Sequence, residues 1–183
     1  MTRLEATRLV VEAAGDSPIV ASLGHPAYDL FGAGDRPQNF YTWGSMGVAS
    51  SIGLGLALAR PDMRVFVIDG DGSLLMNLGS LATIGLLQPP NLSVVIVDNE
   101  AYATTGGQAT PTAAGADLEA AARAMRLDAC TVRVEAELRA ALADRRVPRA
   151  IVAKVAESAP AAKPPLDCVF IKHRFMAALG NPE

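Results

Sequence analysis

Val65-Phe66-Val67-Ile68-Asp69-Gly70-Asp71-Gly72-Ser73 is an apolar run that ends abruptly in carboxylates, glycines and a hydroxyl. A second run, Leu92-Ser93-Val94-Val95-Ile96-Val97-Asp98-Asn99, ends in a carboxylate and an amide. Short, nearly continuous apolar runs bounded by turn residues are the pattern of strands buried on both faces of a parallel sheet. Residues 74–87 between them suit a helical crossover, and Pro89-Pro90-Asn91 marks the turn into the second strand. Strand, helix, strand is the parallel βαβ unit. With the strands side by side, Asp71 and Asn99 leave the same sheet edge, the edge at which open parallel sheets bind ligands. A carboxylate and an amide oxygen there suit a hard divalent ion that already holds a diphosphate. Glycines on both sides of Asp71 let backbone NH groups approach phosphate oxygens that a Cβ would obstruct.

Outward from this unit, residues 4–14 carry apolar side chains near helical spacing, with Gly15 as the stop, so the chain opens with an amphipathic helix. A strand over 19–23 follows and is broken by Gly24-His25-Pro26. Residues 32–37 read as an irregular loop leading to Asn39-Phe40-Tyr41-Thr42-Trp43, and 46–59 as a helix rich in small residues. Close helix packing accounts for Gly53 and Gly55. Residues 101–116 are loop-like, and Asp117 caps a helix through Met125. A strand over 131–134, a helix over 135–143 and an apolar strand over 150–155 complete the alternation. The expected organisation is one domain over 1–158, then a Pro/Ala linker and a C-terminal helix within 159–183, with the helix over 170–179 packing on this domain or on a partner.

The bulk properties narrow the partners. With 183 residues, half of them hydrophobic, the chain can bury a single sizeable core. Its formal charge of −3, with basic residues scattered among acidic ones, gives neither a nucleic-acid footprint nor a polybasic membrane patch. Cys130 and Cys168 stand far apart without CxxC spacing, as expected of reduced thiols in a cytoplasmic protein. Charges at Arg3, Glu5, Arg8 and Glu12 rule against a signal peptide, and no apolar stretch is long enough to span a bilayer. No P-loop signature occurs, and Gly53-Leu54-Gly55 lies inside an apolar helix instead of after the first strand, which disfavours a dinucleotide fingerprint.

Taken together, the Gly70-Asp71-Gly72 turn after one strand and Asn99 after the next resemble the diphosphate-binding domain of thiamine diphosphate-dependent decarboxylases. The closer resemblance is to sulfopyruvate decarboxylase β subunits and to the corresponding part of phosphonopyruvate decarboxylases. It is carried by Asn39-Phe40-Tyr41, Gly44-Ser45-Met46-Gly47-Val48-Ala49-Ser50-Ser51, Leu75-Met76-Asn77-Leu78-Gly79-Ser80-Leu81 and Thr105-Gly106-Gly107-Gln108. It implies a three-layer αβα fold with a mostly parallel central sheet, thiamine diphosphate and Mg²⁺ as cofactors, and a lyase acting on a small anionic 2-oxo acid. Asp71, Asn99 and the Ala101 carbonyl would then bind the metal. Gly70, Gly72 and Ser73 would meet the diphosphate. The Gly44 carbonyl would accept a hydrogen bond from the cofactor's 4′-amino group, Ser45 would belong to the same cofactor-binding stretch, and Met46 would hold the two cofactor rings in a V shape. Tyr102 and Thr104, with Thr105 and Gln108, would form a loop closing over the cofactor. Where relatives carry a lysine this chain has His25, which would meet the substrate anion or act as acid and base.

The resemblance also implies something missing. The glutamate that activates the cofactor comes from a pyrimidine-binding domain, so an α-type partner subunit is expected to supply it, in an α2β2 or larger hetero-oligomer. A homodimer is expected of the isolated chain. The resemblance leaves open which 2-oxo acid is used. It also leaves open a phosphonopyruvate decarboxylase-like enzyme, an acetolactate synthase-like carboligase and a cofactor-binding subunit without catalysis.

Overall fold

In the computed structural model, which describes residues 1–160 and 162–180, six strands form one all-parallel sheet. They are β1 (Ile19–Ala21), β2 (Asn39–Tyr41), β3 (Val65–Gly70), β4 (Leu92–Asp98), β7 (Asp128–Val132) and β8 (Arg149–Lys154), in the order β2-β1-β3-β4-β8-β7. A small antiparallel hairpin, β5 (Ala101–Tyr102) with β6 (Gln108–Ala109), stands apart from the sheet. Every residue of β4 is buried, and so are five of the six in β3, as expected of strands covered on both faces.

The helices are α1 (Arg3–Ala14), α2 (His25–Ala33), α3 (Ala49–Ala59), α4 (Asp71–Met76), α5 (Gly79–Leu87), α6 (Leu118–Ala124), α7 (Glu135–Ala143) and α8 (Cys168–Ala178). One apolar core beneath the sheet includes Leu9, Leu30, Ile68, Val95 and Leu138; the other includes Leu54, Val67, Leu81, Ile84 and Leu92. The chain is therefore a three-layer αβα sandwich. Thr2 and Glu5 form a reciprocal capping box at the start of α1, and Asp117 caps α6 by accepting from the Ala120 NH at 2.9 Å.

Four expectations change. The break at Gly24-His25-Pro26 is a helix start: Pro26 sits in the first turn of α2, where its missing NH costs nothing. Asn39–Tyr41 is the edge strand β2, too short to show alternation. The crossover helix over 74–87 is two helices, since Asn77 leaves helical geometry and turns its amide to another segment. Gly55 faces open space on the outer side of α3, whereas Gly53 does pack as expected: a Cβ there would lie 2.2 Å from Val67 Cγ2. Gly53→Ala is expected to cost about 1–3 kcal/mol, because Val67 lies in the core with no room to yield; urea unfolding measures it.

The C-terminal helix packs on this chain. Ile171, Phe175 and Leu179 are buried, Phe40 and Phe175 stack with centroids 5.2 Å apart, and Arg174 pairs with Asp35 at 2.7 Å. This covers the edge next to β2. The Pro/Ala linker includes residue 161, and the last residues are 181–183; both lie outside the described residues.

Candidate active site

The register of β3 with β4 places Gly70 opposite Val97. Asp71 and Asn99 therefore emerge beside each other where the two strands end. A cleft of about 90 Å³ opens there, lined among others by His25, Met46, Asp71, Asn99 and Thr104. Gly70, Gly72, Ser73, Ala101 and Tyr102 complete the expected set on its walls. Gly44 and Ser45 are the exceptions: both are exposed on the loop before Met46 and do not line the cleft.

Asp71 opens α4 and is nearly fully buried. The hydroxyls of Thr110 and Thr112 both donate to its Oδ2, and Thr112 also contacts Asp98 Oδ1 at 2.9 Å. Burial, reinforced by the charge of Asp98, pushes the Asp71 carboxyl above the ordinary carboxylate range. Of these two carboxylates, Asp98 has a cationic partner in Lys154 at 2.7 Å, whereas Asp71 has none among the described residues. A divalent cation would remove that cost. Among the described residues no three His, Cys, Asp or Glu side chains cluster as a metal site of their own. One carboxylate with an amide and a carbonyl instead fits Mg²⁺, which binds through few protein oxygens and takes others from substrate phosphates.

Asn99 donates from Nδ2 to Glu157 Oε2 at 2.6 Å, and its Oδ1 takes no hydrogen bond from a described residue. Gly72 lies so close beneath Tyr102 that a Cβ would come within 2.2 Å of the ring. This contact fastens the hairpin over the start of α4. Thr104 closes on the other wall, where a Cβ on Gly24 would meet its Oγ1 at 2.6 Å. The segment 101–105 is thus a packed cover. It is held at Tyr102 by Gly72 of the cleft and at Thr104 by Gly24.

The loop carrying Met46 is tied to α4 through a single residue. Gly47 donates its NH to Ser73 Oγ at 2.9 Å, and its carbonyl accepts from Asn77 Nδ2 at 2.8 Å. Its φ of +81° and the nearness of Asn77, 2.8 Å from where a Cβ would stand, leave room for glycine only. Ser73 Oγ also meets Ser22 Oγ at 2.9 Å, so its hydroxyl serves this clamp. Asn77→Ala is expected to cost about 1 kcal/mol of stability and to speed amide exchange across residues 44–48. Hydrogen-exchange mass spectrometry reads the second effect directly.

His25 stands at the start of α2 with Nδ1 3.5 Å from Glu157 Oε1. Burial, with the Arg3 guanidinium adding to it, holds its imidazole below the ordinary value. It is therefore a neutral donor and acceptor at physiological pH. Sequence reasoning missed Arg3, Thr110, Thr112 and Glu157. The threonines carried no motif, and Arg3 and Glu157 meet only because the two ends of the chain fold together.

Comparisons with known proteins identify the family. Residues 25–155 match the model of the thiamine pyrophosphate enzyme C-terminal TPP binding domain. This chain belongs to that family. Over 182 residues it is 42% identical to the sulfopyruvate decarboxylase subunit beta of Methanocaldococcus jannaschii, covering 97% of this chain and 96% of the relative. Over 124 residues it is 46% identical to phosphonopyruvate decarboxylase of Streptomyces viridochromogenes, covering 67% of this chain but 31% of that longer protein. These relatives are named as decarboxylases, which are carbon–carbon lyases. A solved thiamin diphosphate-dependent enzyme from Mycobacterium smegmatis superposes with a TM-score of 0.68 over 87% of this chain and 32% of that one, at 21% identity. The fold is thus shared with that enzyme.

Proposed function

We propose that this chain is the diphosphate- and metal-binding subunit of a thiamine diphosphate- and Mg²⁺-dependent 2-oxo acid decarboxylase of the sulfopyruvate type. The observation that carries this reading is the pairing of Asp71 and Asn99 at adjacent strand ends, in a chain matched almost end to end by sulfopyruvate decarboxylase β subunits. Asp71, Asn99 and the Ala101 carbonyl would hold Mg²⁺. The NH groups of Gly72 and Ser73, at the uncapped start of α4, would face the diphosphate. Met46 would hold the rings in a V shape, its loop fixed by the Gly47 clamp. Gly44 and Ser45 would meet the aminopyrimidine from the exposed side, where the partner docks. Bound thiamine diphosphate supplies the electron sink that lets CO2 leave a 2-oxo acid. Tyr102 and Thr104 would exclude water, and the neutral His25 would exchange a proton with substrate.

An α-type partner would complete the site. The cleft holds about 90 Å³, against roughly 300–1,000 Å³ for a complete small-molecule pocket. Helices α3 and α5 contain no charged residue and expose Ile52, Leu58, Leu86 and Leu87, an apolar face for a subunit to bury. No helix among the described residues is long and apolar enough to cross a membrane, so that face has no bilayer role through a spanning helix. The domain would then comprise residues 1–158, with the C-terminal segment as a packed extension.

The test is product analysis of the reconstituted complex given 3-sulfopyruvate. One CO2 and one matching aldehyde per substrate are expected. A carbon–carbon joined acid would identify a carboligase instead, and turnover confined to the phosphono analogue would reassign the substrate. No product from either would leave a cofactor-binding subunit.

A further inference from the structure

An asparagine that ligates a metal must solve a problem that an aspartate does not have. Its oxygen and nitrogen have nearly the same shape, and only the oxygen binds a cation. Glu157 supplies the solution. A carboxylate only accepts hydrogen bonds, so the 2.6 Å contact from Asn99 to Glu157 Oε2 commits the Asn99 NH2 to that side and leaves Oδ1 for the cleft. Glu157 is itself half-exposed and would swing without support. Arg3 provides that support: Nη1 meets Glu157 Oε1 at 2.7 Å, Nη2 donates to the Ser158 carbonyl at 2.7 Å, and Nε binds Asp29. The guanidinium is 2% exposed, so its fork is fixed on three sides by groups from α2 and from the segment after β8. The N-terminus is held in place as well, since Thr2 pairs with Ala156 and the Ala156 NH donates to the Met1 carbonyl at 3.0 Å.

We propose that Glu157, held by Arg3, is a positioning residue that fixes the amide of Asn99 with its oxygen toward the metal. This rests on the metal reading of Asp71 and Asn99. The first residues of the chain thereby serve a site built by β3 and β4. Arg3 shares its one positive charge between Asp29 and Glu157, which ties both acids to the same anchor.

The test is a double-mutant cycle on the full chain with its partner subunit, in which calorimetry reads Mg²⁺ affinity at a fixed, saturating thiamine diphosphate concentration. Glu157→Gln offers Asn99 a donor as well as an acceptor, so the amide can turn over. Mg²⁺ affinity should fall about 10–100-fold, the range for lost outer partners of metal ligands. Asn99→Asp presents two equivalent oxygens, and in that background E157Q should leave Mg²⁺ affinity unchanged or tighter. An equal loss in both backgrounds marks a merely structural role and overturns the proposal. The comparison holds even where E157Q lowers the thermal midpoint, because both arms carry it. Asn99→Ala separates the two levels of the argument. Unchanged Mg²⁺ affinity in N99A sinks the metal reading itself, whereas a loss in N99A with E157Q indifferent sinks only the positioning role.

Discussion

Asp71→Ala is expected to abolish Mg²⁺-dependent thiamine diphosphate binding, a loss of more than about 100-fold, since outer partners of metal ligands alone account for 10–100-fold. Two effects add. The only carboxylate on the cleft walls disappears, and Oδ2 no longer receives Thr110 and Thr112, which anchor the residues after β6. Asp71→Asn separates them. The amide oxygen still accepts both hydroxyls and fills the same volume, so the threonine segment should stay in place while the charge that favours a divalent cation is gone. Burial already raises the Asp71 carboxyl, and a neutral side chain costs less to bury. D71N is therefore expected to be at least as stable as the parent to urea, yet to bind Mg²⁺ poorly. Calorimetry with and without Mg²⁺ checks the first statement and urea unfolding the second. Affinity unchanged in both variants would mean that the metal sits elsewhere.

The strand ends were legible because local chemistry and global topology agree at that point. Buried parallel strands demand unbroken apolar runs, and a ligand-binding edge demands that they stop in Asp71-Gly72 and Asn99. The same local rules failed at residues 24–33, where Gly24 and Pro26 read as breakers. The helix that they begin is nine residues long, and Pro belongs in its first turn. Helix α5 illustrates the opposite difficulty. Asn77, Gly79 and Ser80 are the only hints of a break in the otherwise largely apolar 74–87, and what settles it is the Asn77 amide reaching Gly47, a contact 30 positions away. The support around Asn99 is more remote still, with Arg3 and Glu157 separated by 154 positions. Asp71 and Asn99, the proposed ligands, are visible through motif. Residues that orient ligands are visible only once chain ends have met, since any acid or arginine on the right surface can serve.

The chain without an α-type partner is expected to show no turnover, and the reason lies in what the cleft lacks. Asp71 is the only carboxylate among its described lining residues, and the proposed function assigns it to the metal. Glu157, which touches the lining residue Asn99, and Glu100, which follows it, are both engaged: Glu157 by Arg3 and Asn99, and Glu100 by Lys154 at 2.7 Å. Neither is available to hydrogen-bond the pyrimidine nitrogen of thiamine diphosphate, the contact that the family resemblance assigns to a glutamate. Cofactor should therefore bind the isolated chain weakly, through Mg²⁺ and the diphosphate. Adding the partner should tighten binding by enclosing the exposed side of the Gly44–Met46 loop and should switch turnover on. Replacing the partner's activating glutamate by glutamine should then cut kcat by about 10²–10⁴-fold, the usual worth of a positioned acid–base group. Mg²⁺-dependent binding should survive in that variant, because the proposed function places the diphosphate and metal contacts in this chain. Full turnover by the purified chain alone would require an acid that the described cleft does not contain. It would overturn the division of the site between two subunits.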